Sequence, residues 1–288
     1  MIEAGVHTIS ADTYHADPGK VPSLTASMAN KMVNESPLHA WTAHPRLNPD
    51  FKREERTTFD IGTVVHSIIL EGDASGVEVV HADDWRTKVA KEQRDEARAA
   101  GKIPMLAKDM IRAVEMATAV RDQIAARDDD PPLFSDGKPE QTLVWEERGI
   151  TCRARLDWLR DDFKAIDDAK TTGRSANPVN WTRNTMWQIG ADIQIAFYLR
   201  GVKKVTGVDA TFRYVLIENQ PPYAIAVVSP APSALEIGTA KVERAIASWR
   251  ECLKTDVWPG YPAGIYYAET PAWQEMQWME IDSEALAA

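Results

Sequence analysis

The 288-residue chain has almost no cysteine, no surplus of basic residues and no long apolar run. Its two cysteines, Cys152 and Cys252, are too few for a four-thiolate metal or iron–sulfur site, and they supply no disulfide framework. A reducing cytoplasm is the expected setting. With 33 Lys and Arg against 43 Asp and Glu, the formal charge is -10 and the pI near 5.2. Such a chain does not hold polyanions through its overall field, so any phosphate contact must come from a local basic surface. Residues 1–10 lack the basic start and apolar core of a signal peptide, and every apolar run is too short to cross a bilayer, so neither export nor membrane insertion is expected. Gly/Ser-rich linkers, internal repeats and low-complexity tracts are also missing. With 44% hydrophobic and 26% charged residues, the chain has an ordinary globular composition. One elaborated domain over 1–288 is expected, with a helical part at about 1–135 and a core at about 136–288.

What is present is a change of period. Leu24, Met28 and Met32 recur at helical spacing in a segment that closes at Ser36-Pro37, where proline disfavours continuation. Residues 59–70 are apolar, contain the small Gly62 and Thr63, and predict a buried helix with His66 in its middle. Surface helices are expected over 85–100 and 108–127, followed by a loop to 139. From Glu140 the period becomes two: strands are predicted at 142–146, 150–159 and 164–170, with turns at Arg148-Gly149 and Asp161-Asp162. A helix over 186–200, strands at 210–218 and 223–228 and a helix over 233–253 complete an α/β order, a mixed central sheet flanked by helices.

Strand alternation places Asp168 and Lys170 on one face of the third strand and Asp167 and Ala169 on the other. By the same rule Arg153, Arg155 and Asp157 share a face of the preceding strand, and a hairpin through Asp161-Asp162 lets Asp157 approach Asp168. Two such carboxylates repel each other, and a divalent cation with oxygen ligands removes that cost. The pair therefore points to a metal, and Lys170 beside it to stabilisation of a phosphoryl group.

Asp157 followed by Asp168-Ala169-Lys170-Thr171-Thr172 after a hydrophobic strand resembles the PD-(D/E)xK nuclease core, a restriction-endonuclease-like fold. The likeness extends over Tyr14-His15-Ala16, Ser36-Pro37-Leu38-His39, Ile61-Gly62-Thr63-Val64-Val65-His66, Glu140 with Trp145, Cys152 to Asp157, Gln194 to Tyr198 and Asp256-Val257-Trp258-Pro259. In that order these segments resemble the exonuclease VIII (RecE) family of phage and prophage recombination nucleases.

The resemblance implies that His66, Asp157, Asp168 and the Ala169 carbonyl ligate Mg²⁺, with Mn²⁺ as a substitute, and that Lys170 lies beside the attacking water. It assigns Glu140 to a second metal, and Gln194 and Tyr198, four apart on one helix face, to the scissile phosphate. Arg153, Arg155, Arg174 and Arg183 are candidates for a DNA groove. The implied activity is 5′-to-3′ digestion of linear double-stranded DNA, leaving 3′ single-stranded overhangs for recombination. A ring-shaped homo-oligomer, a tetramer, and a RecT-like single-strand annealing recombinase are the implied partners. The rival readings are an endonuclease on the same fold and a catalytically silent DNA-binding or assembly protein.

Overall fold

The computed structural model describes residues 2–52 and 60–287. The chain runs through β1 (Gly5–His7), α1 (Ala11–His15), α2 (Ala26–Asn34), α3 (Pro37–Thr42), α4 (Asp60–Glu71), β2 (Val77–Val80), α5 (Lys88–Ala99), β3 (Ile103–Leu106) and α6 (Ala107–Ala125). It continues through β4 (Gly137–Glu147), β5 (Ile150–Arg160), β6 (Ala165–Thr172), α7 (Pro178–Asn180), a π-helical turn (Trp181–Thr185) and α8 (Met186–Gln188). Last come α9 (Ala191–Thr206), β7 (Thr211–Glu218), β8 (Ile225–Val228), α10 (Pro232–Thr255) and α11 (Ala272–Ala287).

Among the described residues, six strands form a sheet in the order β1-β4-β5-β6-β7-β8, and β2 and β3 form a small parallel pair. The expected meander is there: β4, β5 and β6 pair antiparallel in sequence. Arg148-Gly149 makes the first turn as a two-residue hairpin loop with both residues at positive φ, which fits the right-handed strand twist. β6 and β7 pair in parallel, as a helical crossover between them requires, so the sheet is mixed.

β7 shows why the sheet is covered on both sides. Phe212, Tyr214 and Leu216 enter a core shared with α2, α9 and α10, while Val215 and Ile217 enter a second core with Val64, Val65, Met116 and Val120 of α4 and α6. Full burial on both faces is what a central parallel strand demands. No helix among the described residues is long and apolar enough to cross a membrane.

Three expectations need correction. The helix predicted over 186–200 is two helices, because Gly190 adopts φ +69° and stops α8 before α9 starts. Ser36-Pro37 ends α2 but also opens α3: the Ser36 hydroxyl accepts the His39 N–H, and proline at the first helical position loses no hydrogen bond. The helix expected over 85–100 starts at Lys88, where the Thr87 hydroxyl caps it. Phe59, the expected start of the fourth helix, lies outside the described residues.

Candidate active site

Gly62 sets the height of α4 over the sheet. A Cβ there would meet Thr171 Oγ1 of β6 at 3.3 Å, so the bare glycine lets the helix settle and brings His66 to the strand ends. His66 Nε2 lies 2.8 Å from Asp157 Oδ2, and its Nδ1 3.4 Å from Glu140 Oε1. Glu140 reaches the imidazole from a left-handed backbone, φ +55°, that interrupts the β4–β5 ladder between Pro139↔Trp158 and Gln141↔Leu156. That conformation costs a non-glycine residue about 1 kcal/mol, and strain of this kind gathers at functional sites. Arg155 Nε donates to Glu140 Oε2 at 2.5 Å and its Nη1 to the Ile9 carbonyl at 2.7 Å, which pins the carboxylate from behind.

The β5–β6 ladder is short, Trp158↔Asp167 and Leu159↔Ile166, and where it ends Asp157 Oδ2 accepts the Ala169 N–H at 2.9 Å. Asp168, 1% exposed, accepts from Gln194 Nε2 at 3.0 Å through Oδ2. Its Oδ1 lies 3.2 Å from Lys170 Nζ, but out of line for a hydrogen bond, and is a buried oxygen without a hydrogen-bond partner. Lys170 Nζ donates to Gln194 Oε1 at 3.3 Å, and the Tyr214 hydroxyl donates to the same oxygen at 2.9 Å. Glu140, Arg155, Asp157, Gln194 and Tyr198 line one cleft of about 360 Å³, walled on the far side by Tyr14, Ser27 and Asn30.

A family model described as "PDDEXK-like domain of unknown function (DUF3799)" matches residues 27–271. The chain belongs to this family. Among solved structures, a candidate exonuclease of Eubacterium rectale has 14% identity and a TM-score of 0.61, with 94% of this chain and 98% of that one covered. A phage-related exonuclease from Haemophilus somnus has 11% identity and a TM-score of 0.33 over 84% of this chain and 99% of that one. The first shares the fold. No curated protein matches the chain. The PDDEXK-like core expected from Asp157 and Asp168-Ala169-Lys170 is thus the family's fold.

Within this PDDEXK-like core the electrostatics follow from burial and opposed charge. Burial alone would make the His66 imidazolium less stable, but the Asp157 charge and the hydrogen bonds that the imidazolium donates to Asp157 and Glu140 outweigh it and raise the pKa to about 10. Burial would raise Asp157, yet His66, Lys170 and the Ala169 N–H hold it below the ordinary carboxylate value. Asp168 goes the other way: burial and the Asp157 charge raise it, with Lys170 only partly compensating. Lys170 is itself raised, since Asp168 and Asp157 more than offset its desolvation. The site is a well of negative potential in which His66 now carries the balancing proton.

The donor set fits a hard divalent cation. The ligand atoms of His66, Glu140 and Asp157 lie within 4.8 Å of one another, and Asp168 Oδ1, which faces Lys170 without a hydrogen bond, is a further buried oxygen in the same network. Three carboxylates and one imidazole, without a thiolate, match the preferences of Mg²⁺ and Mn²⁺.

The structure thus gathers His66, Glu140, Asp157, Asp168, Lys170, Gln194 and Tyr198 at one place. Glu140 sits in the same cluster as His66 and Asp157. Ala169 meets Asp157 through its N–H. Asp167 points away, as alternation requires, and pairs with Arg213 Nε at 2.6 Å and with the Phe134 N–H at 2.8 Å. Of the four expected groove arginines, one is buried in the fold and one lines the cleft. Arg153, 4% exposed, is held by Asp17 at 2.7 Å and by Ser23, and Arg155 is spent on Glu140 and Ile9. Arg174 and Arg183 stand exposed. Tyr214 was not foreseen: it neighbours Asp168 in the β6–β7 register, a pairing that no local pattern discloses.

Proposed function

We propose that the protein is a metal-dependent exonuclease that digests linear double-stranded DNA from 5′ ends and leaves 3′ single-stranded overhangs. The observation that carries this reading is the cluster of His66, Glu140 and Asp157 at the wall of the cleft, with the Asp168–Lys170 ion pair buried behind it. The end-directed activity is favoured by the resemblance to exonuclease VIII, and the description of the Eubacterium rectale protein agrees with it.

His66, Glu140, Asp157 and Asp168 would hold Mg²⁺, or Mn²⁺ in its place. Such an ion supplies positive charge to a phosphodiester and lowers the pKa of water. Loading it requires His66 to give up its proton, because an imidazolium has no lone pair to offer. Lys170, held by Gln194 and Asp168, presents an ammonium where charge grows on the phosphoryl oxygens during attack by water. Gln194 is a positioning residue: its amide nitrogen fixes Asp168, its oxygen fixes Lys170, and Tyr214 prevents the amide from turning over. Arg174 and Arg183 remain as exposed cations for the DNA backbone.

The ring-shaped tetramer and the annealing recombinase belong to the same reading and rest on the resemblance alone. End-labelled linear duplex and closed circular DNA, each with and without Mg²⁺, test the activity. Metal-dependent loss of the linear substrate with intact circles is expected. Efficient cutting of closed circles would replace the exonuclease by an endonuclease, and no cutting of either would leave a silent binding protein.

A further inference from the structure

Beside the metal cleft lies a second cavity, of about 280 Å³, that the reading above does not use. The two are neighbours, since Tyr14, His15, Thr25 and Ser27 line both. The rest of the second wall is mostly apolar: Ala16, Met28, Ala43, Pro45 and Phe51. We propose that this cavity receives the nucleobase of the nucleotide at the scissile phosphate, drawn out of the duplex stack at the DNA end.

Size, chemistry and position support this occupant. The volume sits at the lower limit of small-molecule sites, about 300 Å³, which suits one heterocycle and excludes a base pair. Tyr14, Phe51 and Met28 offer the flat or polarisable surface on which any base can rest. A phosphate is a poor occupant, because the guanidinium in the cavity wall, Arg153, is already engaged by Asp17 and Ser23. The Thr25 and Ser27 hydroxyls bond each other at 2.9 Å, and Thr25 Oγ1 also accepts the Met28 N–H that caps α2. Those hydroxyls are therefore weak readers of base identity, so the cavity accepts all four bases. The expected substrate is a strand end that frays by one nucleotide, with the sugar-phosphate in the cleft and the base next door.

The inference rests on the nuclease reading, and the test separates the two. Linear duplexes with an abasic site at each of the last few positions of the digested strand are compared with intact DNA in single-turnover hydrolysis. One abasic position should slow cleavage about tenfold, toward the lower end of what stacking a single base contributes. Met28→Trp, which fills the cavity, should slow intact DNA by a similar factor and erase the difference between intact and abasic ends. Phe51→Ala, which removes a wall without adding bulk, serves if the larger side chain prevents folding, and should also shrink that difference. With 2-aminopurine at the sensitive position and Ca²⁺ in place of Mg²⁺, emission should rise on binding to the wild-type protein but not to the filled variant. Equal cleavage of intact and abasic ends by the wild-type protein would overturn this inference alone. Absence of metal-dependent hydrolysis of any DNA would overturn the nuclease reading and this inference with it.

Discussion

At the residue scale, the sharpest distinction is between groups that bind the cation and groups that act on the substrate. Lys170 is partnered by Asp168 and Gln194 but belongs to no ligand cluster, so Lys170→Ala should keep the fold and Mn²⁺ binding. Its rate should fall by roughly 100-fold or more, because a fixed donor aimed at developing charge contributes about 3 kcal/mol in the transition state. Single-turnover hydrolysis beside calorimetric Mn²⁺ titration measures both, and a near-normal rate would remove Lys170 from the chemistry. Asp167 makes a poor control for that experiment, since truncating it strands Arg213 in the fold. A second residue-level prediction concerns Asp17. Burial opposes its charge, but the His44 hydrogen bond, the Arg153 charge and two bonds from Ser23 lower its pKa from 3.8 to about 2. A depressed carboxylate stabilises the fold at pH values above its unfolded pKa and loses that contribution as pH falls through the folded one. Asp17→Asn should therefore cost at least about 2 kcal/mol at neutral pH, with the gap to wild type narrowing between pH 4 and pH 2. Denaturation midpoints of the two proteins across that range would expose a constant gap, which would contradict the linkage.

At the element scale, the site depends on where helices start. Gly190 takes φ +69°, its carbonyl accepts the Gln194 N–H at 3.1 Å, and a Cβ there would run into the Asn30 side chain of α2. Gly190→Ala should thus lower stability by about 1–2 kcal/mol through left-handed strain and displacement of Asn30. It should also slow hydrolysis by shifting Gln194. Mn²⁺ should still bind through His66, Glu140 and Asp157 on α4, β4 and β5, with affinity falling only as far as Asp168 follows Gln194. An unchanged melting temperature would show that the break is not held by this glycine. The same position marks the limit of what the sequence discloses. Period-two alternation from 142 to 170 and Arg148-Gly149 were legible because local sterics determine them, whereas the Gly62 to His66 pattern was legible only through the resemblance to a nuclease family. The break inside 186–200 was not, since an isolated glycine is tolerated in many helices and only contact with α2 makes this one a stop. Arg153 was misjudged for a related reason: alternation gives the face of a strand, but Asp17, 136 positions earlier, decides whether that face is solvent or core. Glu140 was recognised as acidic and relevant, whereas its left-handed backbone, which delivers it to His66, leaves no trace in composition.

At the scale of the whole molecule, the charge is unevenly spread. From Asp256 onward the chain holds six Asp and Glu and no Lys, Arg or His, while residues 86–121 hold nine Lys and Arg against five Asp and Glu. Both stretches are also apolar on the outside. Tyr266, Tyr267, Trp273 and Trp278 are 73%, 87%, 62% and 66% exposed in the acidic stretch, and Val89 and Ile111 are 63% and 62% exposed in the basic one. Contiguous exposed apolar surface is a common feature of interaction sites. Opposite charge on two apolar surfaces suits head-to-tail contact between copies, and contacts of that kind form a ring where the rotation between copies closes. The expected oligomer then has a specific signature. Light scattering should give a mass several times 32.1 kDa at micromolar concentration. Removing residues 262–287, beyond the segment that touches α3, should reduce the mass to that of one chain while leaving the His66–Asp157 cluster able to bind Mn²⁺. High salt should loosen the assembly as well, because screening weakens attraction between exposed charges. A single-chain mass for the 288-residue chain, indifferent to salt, would remove both the ring and the acidic stretch's part in it.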